Sequence, residues 1–146
     1  MRFDSRIHIS YRDVHSMCHN LEYHVSKFNP DVIVGIIRGG LLPALHLSHT
    51  LDRPLMAITW QTRDTSKQEH NIDLQDMIHS GKRVVFVDDI NDTGKTFLGI
   101  DQQYGCSIVT NVMMISLVAK TDSSFKARAA LTIDDKRWVV FPYERD

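Results

Sequence analysis

The stretch Val84-Val85-Phe86-Val87-Asp88-Asp89-Ile90-Asn91-Asp92-Thr93-Gly94-Lys95-Thr96 decides how the rest of the chain is read. Four apolar residues in a row predict a buried strand, and two adjacent acids mark its end. A tight polar turn follows. Gly94-Lys95-Thr96 then opens a helix, because Phe97, Ile100 and Tyr104 recur at helical spacing and Gly105 stands where a C-terminal cap belongs. A strand–turn–helix junction of this kind lies at the carboxyl edge of a parallel sheet, where open α/β folds bind ligands. The unpaired N–H groups of the first helical turn, aided by the helix dipole, make such a junction a cradle for phosphate.

Gly94-Lys95-Thr96 is not the tail of a nucleotide-triphosphate P-loop. That motif needs a glycine five positions before Gly94, and position 89 is aspartate. Upstream, Val32-Ile33-Val34-Gly35-Ile36-Ile37 is a second apolar run suited to a strand buried on both faces. Arg38-Gly39-Gly40 follows it directly, and Pro43 stands near the start of a helix expected over 42–51. Two glycines after a buried strand let the backbone approach an anion closely, with Arg38 as the charge beside it.

Further toward the amino terminus, Ser10 with Asp13 resembles a capping box. Behind it Tyr11, Val14, Cys18, Leu21, Val25 and Phe28 form one apolar stripe, closed by Asn29-Pro30. His15 and His19 lie one turn apart on this helix, a spacing able to grip a metal, but off the stripe and without a third ligand nearby. A solvated helix face accounts for them. A short strand is expected over 55–59. Residues 60–70 then show neither helical nor strand periodicity, and the segment is polar and longer than most connections, which predicts a lid or plain disorder. Beyond the central stretch come a long strand over 108–118, with Lys120 following at its carboxyl edge, and a shorter apolar segment over 129–133. The tail runs from Asp134 to Asp146 and contains Trp138 beside two acids and two bases. As an ordinary structural feature Trp138 would cap the core at its rim.

The chain's 146 residues suffice for one domain with a real core and leave no room for a second. Lys and Arg number 17 against 18 Asp and Glu, so no cationic footprint argues for nucleic acid as the partner. The first six residues lack the apolar core of a signal peptide, and no stretch is long enough to span a bilayer. Cys18 and Cys106 are far apart and read as buried or half-buried free thiols in a reducing cytoplasm.

The order apolar strand, Asp-Asp, two residues, Asp-Thr-Gly, Thr resembles the ribose-phosphate signature of the type I phosphoribosyltransferases, closest to the short bacterial xanthine–guanine (6-oxopurine) type. Arg38-Gly39-Gly40 resembles the family's pyrophosphate loop, 60–70 its mobile lid, and Trp138-Val139 the aromatic–aliphatic pair that closes the purine pocket. At the lid the likeness is loose, since Thr59-Trp60 stands where the family often has Ser-Tyr. The resemblance implies an α/β fold, a twisted and mainly parallel sheet flanked by helices, with a small hood from the terminal segments. It implies one domain over 1–146, with a mobile loop at 60–70 and a base-pocket tail at 134–146. The implied reaction moves ribose 5-phosphate from phosphoribosyl pyrophosphate (PRPP) to a 6-oxopurine, with magnesium as cofactor.

The resemblance also implies residue roles. PRPP would contact Arg38, Gly39, Asp88, Asp89, Ile90, Asn91, Asp92, Thr93, Gly94, Lys95 and Thr96. The purine would contact Asp92, Lys120, Trp138 and Val139. Asp89 would hold the metal and act with Asp92 in catalysis, while Arg63 or Lys67 would meet pyrophosphate from the lid. A cytoplasmic homo-oligomer, dimer or tetramer, is expected, with no nucleic acid and no membrane segment. Two alternatives stay open here: a transferase for another base, or a non-catalytic sensor of phosphoribosyl pyrophosphate.

Overall fold

A computed structural model of the chain describes residues 5–144. Its centre is a five-stranded sheet, parallel throughout. In chain order the elements are β1 (Arg6–His8), α1 (Tyr11–Phe28), β2 (Val32–Ile37), α2 (Leu41–Leu51), β3 (Leu55–Thr59), α3 (Ile72–His79), β4 (Val84–Asn91), α4 (Lys95–Tyr104), β5 (Val112–Lys120), β6 (Arg128–Ile133) and β7 (Trp138–Val140). The spatial order of the sheet is β3-β2-β4-β5-β6. From β2 the chain steps outward to β3, then returns to the other side of β2 as β4. The switch point therefore lies between β2 and β4, and the loops leaving these strands face one crevice.

Strand alternation builds two cores. On β4, Val85 and Val87 pack with Val14, Cys18, Leu21 and Val25 of α1 and Ala44 and Leu47 of α2. Val84 and Phe86 point the other way, onto Leu74 and Ile78 of α3 and Phe97, Ile100 and Tyr104 of α4. Burial on both faces is why the strand reads as an unbroken apolar run. Outside the sheet, β1 and β7 pair in parallel, Ile7 opposite Val139, as the small hood expected from the terminal segments. Residues 1–4 and 145–146, the two ends of the expected domain, lie outside the described residues.

The α1 cap forms as its sequence predicts: the Ser10 hydroxyl accepts the Asp13 N–H at 3.0 Å, and Asp13 accepts the Ser10 N–H at 2.9 Å. Asn29 closes the helix in the left-handed conformation. Of the predicted stripe Tyr11 stays exposed, because it precedes the first turn that reaches the sheet. His15 and His19 are exposed, the first edge-on to His46 and the second paired with Glu22. Among the described residues no group of three or more histidine, cysteine or acidic side chains is placed to hold a metal alone. Both cysteines are free and buried, and burial pushes each thiol up to about 12.

Three expectations about the elements need correction. The strand expected over 108–118 begins at Val112: Cys106–Ile108 is a 3₁₀ turn, with Ile108 82% exposed, and Lys120 is the last residue of β5 rather than a follower. Hydrophobicity at Ile108 served no core. Second, β4 does not stop at the acids but runs through them to Asn91, since β5 is long enough to pair with Asp88, Ile90 and Asn91. Third, 60–70 is not structureless. Trp60 bridges Gln68 in antiparallel fashion, and Thr65–Lys67 forms a 3₁₀ turn capped by Asp64. The short helix α3 has no counterpart in the sequence reading; Leu74 and Ile78 one turn apart and the Asn71 cap were its only signals.

Candidate active site

Two loops leave the carboxyl ends of β2 and β4 at the switch point, and each depends on glycine. A Cβ on Gly39 would stand 2.0 Å from Asp89 Oδ2, so the 38–40 loop meets the acid of β4 with nothing between. Gly94 has φ of +95°, and a side chain there would strike the 123–125 loop, 2.6 Å from the Phe125 amide. The turn into α4 thus needs glycine for both conformation and space. That turn is braced from outside. The Ser124 N–H and hydroxyl both donate to the Thr93 carbonyl, at 2.9 and 2.8 Å, and the Asn91 amide donates to the Phe125 carbonyl at 2.7 Å. Bracing from the next loop leaves residues 92–96 at the start of α4.

Asp88 and Asp89 sit half-buried toward the carboxyl end of β4. Burial pushes Asp88 well above the usual carboxylate range, and repulsion from Asp89 pushes it further. Burial raises Asp89 too, against hydrogen bonds that favour its charged form, one of them from Tyr143. Adjacent acids in this condition fit magnesium, which takes one or two carboxylates and draws its remaining oxygens from substrate and water. The same carboxylates could also stabilise positive charge developing on a substrate.

Arg38, Gly39, Asp89, Tyr143 and Glu144 line a cavity of about 960 Å³, whose far wall is Leu41, Leu42, Leu45 and Tyr11. A second, smaller cavity of about 100 Å³ adjoins it and is lined by Ile90, Asp92, Lys120, Trp138, Val139 and Glu144, among others. Glu144 is shared by both. Lys120 is only 7% exposed, and its ammonium donates to the carbonyls of Asp135 and Arg137, the latter at 2.7 Å. An ammonium has three N–H groups, so two are engaged by these carbonyls and one has no partner of its own here among the described residues. Trp138, 62% exposed, stands at the rim of that cavity.

The structure brings most of the expected residues to this crevice and sets some apart. Arg38, Gly39 and Asp89 share the large cavity; Ile90, Asp92, Lys120, Trp138 and Val139 share the small one. The Asn91 side chain turns to the 123–125 loop, where it also accepts the Ser123 hydroxyl at 2.9 Å. Lys95 lines a separate groove with Trp60, Thr62 and Gln68 at the base of the 60–70 loop. Arg63 and Lys67 stand exposed on that loop.

Three features went unread in the sequence. Tyr143 donates its hydroxyl to Asp89 Oδ2 at 3.0 Å, Glu144 joins both cavities, and Ser123 and Ser124 brace the turn. Nothing local marks Tyr143, Ser123 or Ser124, because each acts on a residue 30 or more positions away.

Residues 6–143 match the phosphoribosyl transferase domain. The chain belongs to that family. Among solved structures this phosphoribosyltransferase is similar to a purine phosphoribosyltransferase from Pyrococcus horikoshii, at 30% identity and a TM-score of 0.80, over 98% of this chain and 97% of the other. It is 26% identical to a xanthine-guanine phosphoribosyltransferase of Roseobacter denitrificans, over 94% of this chain and 84% of the relative. The fold also matches a xanthine-guanine-hypoxanthine phosphoribosyltransferase of Helicobacter pylori, with a TM-score of 0.70 at 20% identity, covering 93% and 91% of the two chains. The parallel sheet flanked by helices is this family's fold, as the motif order implied.

Proposed function

We propose that this protein is a pentosyltransferase of purine salvage that moves ribose 5-phosphate from PRPP to a 6-oxopurine, releasing pyrophosphate. The observation that carries the choice of base is Lys120, a buried ammonium with an N–H to spare beside Asp92, Val139 and Trp138. Buried donors recognise a 6-oxygen and oppose the 6-amino group of adenine, where donor would meet donor. Sites of this kind discriminate by about 10⁴–10⁵.

The remaining roles follow from position. The N–H groups of 92–96 and the Thr93 and Thr96 hydroxyls hold the 5-phosphate. Asp88 and Asp89 accept from the ribose hydroxyls, and Asp89 would hold magnesium. When bound, magnesium supplies charge neutralisation for the pyrophosphate. As the bond to pyrophosphate breaks, cation character grows on the sugar carbon, and the two carboxylates lower its energy. Asp92 handles the purine proton, as general base or as partner of the imidazole ring. Arg38 and the Gly39 N–H receive the leaving pyrophosphate. The 60–70 loop, with Arg63 and Lys67, acts as a lid that keeps water from the activated sugar. The tail from 134 closes the base pocket, the Val139 carbonyl reading the purine 2-position. The working enzyme is a cytoplasmic homo-oligomer.

The test is one assay: protein, magnesium and PRPP with each of six bases, nucleotide formation followed by mass spectrometry. Product is expected with guanine, xanthine or hypoxanthine and not with adenine or pyrimidines. Comparable rates with adenine and guanine would overturn the base assignment, and no product with any base would overturn the transferase reading.

A further inference from the structure

Asp89 lies on β4 and Gly39 in the loop that follows β2, yet both line the larger cavity, and a single side chain joins them from outside the sheet. The Tyr143 hydroxyl lies 3.0 Å from Asp89 Oδ2 and 3.3 Å from the Gly39 carbonyl, and donates toward both. Its ring is held in turn. Tyr143 stacks on Phe141 at a centroid distance of 5.6 Å with planes 8° apart, and Phe141 is fully buried in the core under α1 and α2. Only Pro142 separates the two rings, so little freedom remains for the phenol to swing. We propose that Tyr143 is a positioning residue: it ties the C-terminal tail to Asp89 and to the 38–40 loop, and so presets the wall that receives ribose and pyrophosphate.

The inference rests on the functional reading above and deepens it. An aspartate side chain beside a second acid has alternative rotamers that relieve repulsion. Held at Oδ2 by a donor, Asp89 keeps a fixed orientation, with its other oxygen available to substrate or ion. The Gly39 carbonyl, bound by the same hydroxyl, turns the peptide planes of the loop toward one arrangement. Substrate then meets a prepared surface instead of ordering it on arrival. A hydrogen bond to a charged group is worth roughly a tenfold change in binding or more.

Tyr143→Phe keeps the ring and its stack and deletes only the hydroxyl. Calorimetric titration with inorganic pyrophosphate and magnesium should show binding weakened about tenfold. The KM for PRPP should rise by a similar factor and kcat should fall, because Asp89 also acts as the bond to pyrophosphate breaks, while the KM for the base stays nearly unchanged. Asp89→Ala, which removes the acceptor, and Tyr143→Phe combined should weaken pyrophosphate binding by less than the product of their separate effects, a readout that a change in fold stability would not give. Equal affinity in wild type and Tyr143→Phe would overturn the proposal, as would fully independent effects of the two substitutions. Tighter binding in Tyr143→Phe would overturn it too, because the hydroxyl would then compete with substrate for Asp89. A wild type that neither binds pyrophosphate nor turns over any base overturns the functional reading itself, and the positioning role with it.

Discussion

Asp89 is a cavity-lining carboxylate whose burial opposes its charge. It stands beside Asp88, and burial raises both above the usual range near about 4. The native state therefore binds protons more tightly than the unfolded chain between that value and the raised ones. Stability of the ligand-free protein should fall as pH rises through this interval and stay lower above it. Asp89→Asn keeps an acceptor for Tyr143 and removes one charge. It should melt higher than wild type at neutral pH, with the gap closing in acid, while turnover collapses; a pH series of melting curves and a rate at saturating magnesium check both halves. Lys120 raises a different point. Its ammonium does more than line the small cavity, because it also holds the Asp135 and Arg137 carbonyls. Lys120→Met should abolish most 6-oxopurine activity, leave pyrophosphate binding intact, and speed hydrogen exchange across 134–138. An undiminished rate in that variant would remove Lys120 from base recognition.

At the scale of an element, the 60–70 segment, proposed above as a lid, has a stapled base. Trp60 is 7% exposed against Gly99 of α4, and Gln61, Gln68 and Glu69 close the loop by backbone and side-chain hydrogen bonds. The Tyr104 hydroxyl, also on α4, donates to the Glu69 carbonyl at 3.0 Å. Between these fixed points residues 61–67 carry almost no buried apolar surface, so they belong to the least stable part of the molecule. Hydrogen exchange should be fast at 61–67 and slow at 60 and 69 in the free protein. Pyrophosphate with magnesium should slow 61–67 while leaving the base unchanged. Exchange that is the same with and without ligand would make the loop a plain connection.

Across the whole molecule, the two chain ends meet over the site. The hood strands β1 and β7 pair, and Val139 and Val140 of β7 and the following Phe141 are buried. The tail is therefore part of the fold as well as the wall of both cavities. Phe141→Ala should cost about 3–5 kcal/mol of stability by denaturant titration. It should weaken pyrophosphate binding as well, because Phe141 is the platform on which Tyr143 rests. By itself the sequence determined the parts whose causes are local: the apolar runs of β2 and β4, the capping box of α1, the Gly94 turn into α4, and the motif order that implied the family. These were legible because period, caps and glycines act within a few residues. Strand ends were not, since β4 and β5 extend as far as their partners allow and pairing is a property of two segments. Only the tertiary structure decided that Asn91 braces a turn, that Lys120 is buried, and that Tyr143 reaches Asp89. Each depends on which loops the sheet order brings to one edge, and nothing within a few residues of those side chains encodes that.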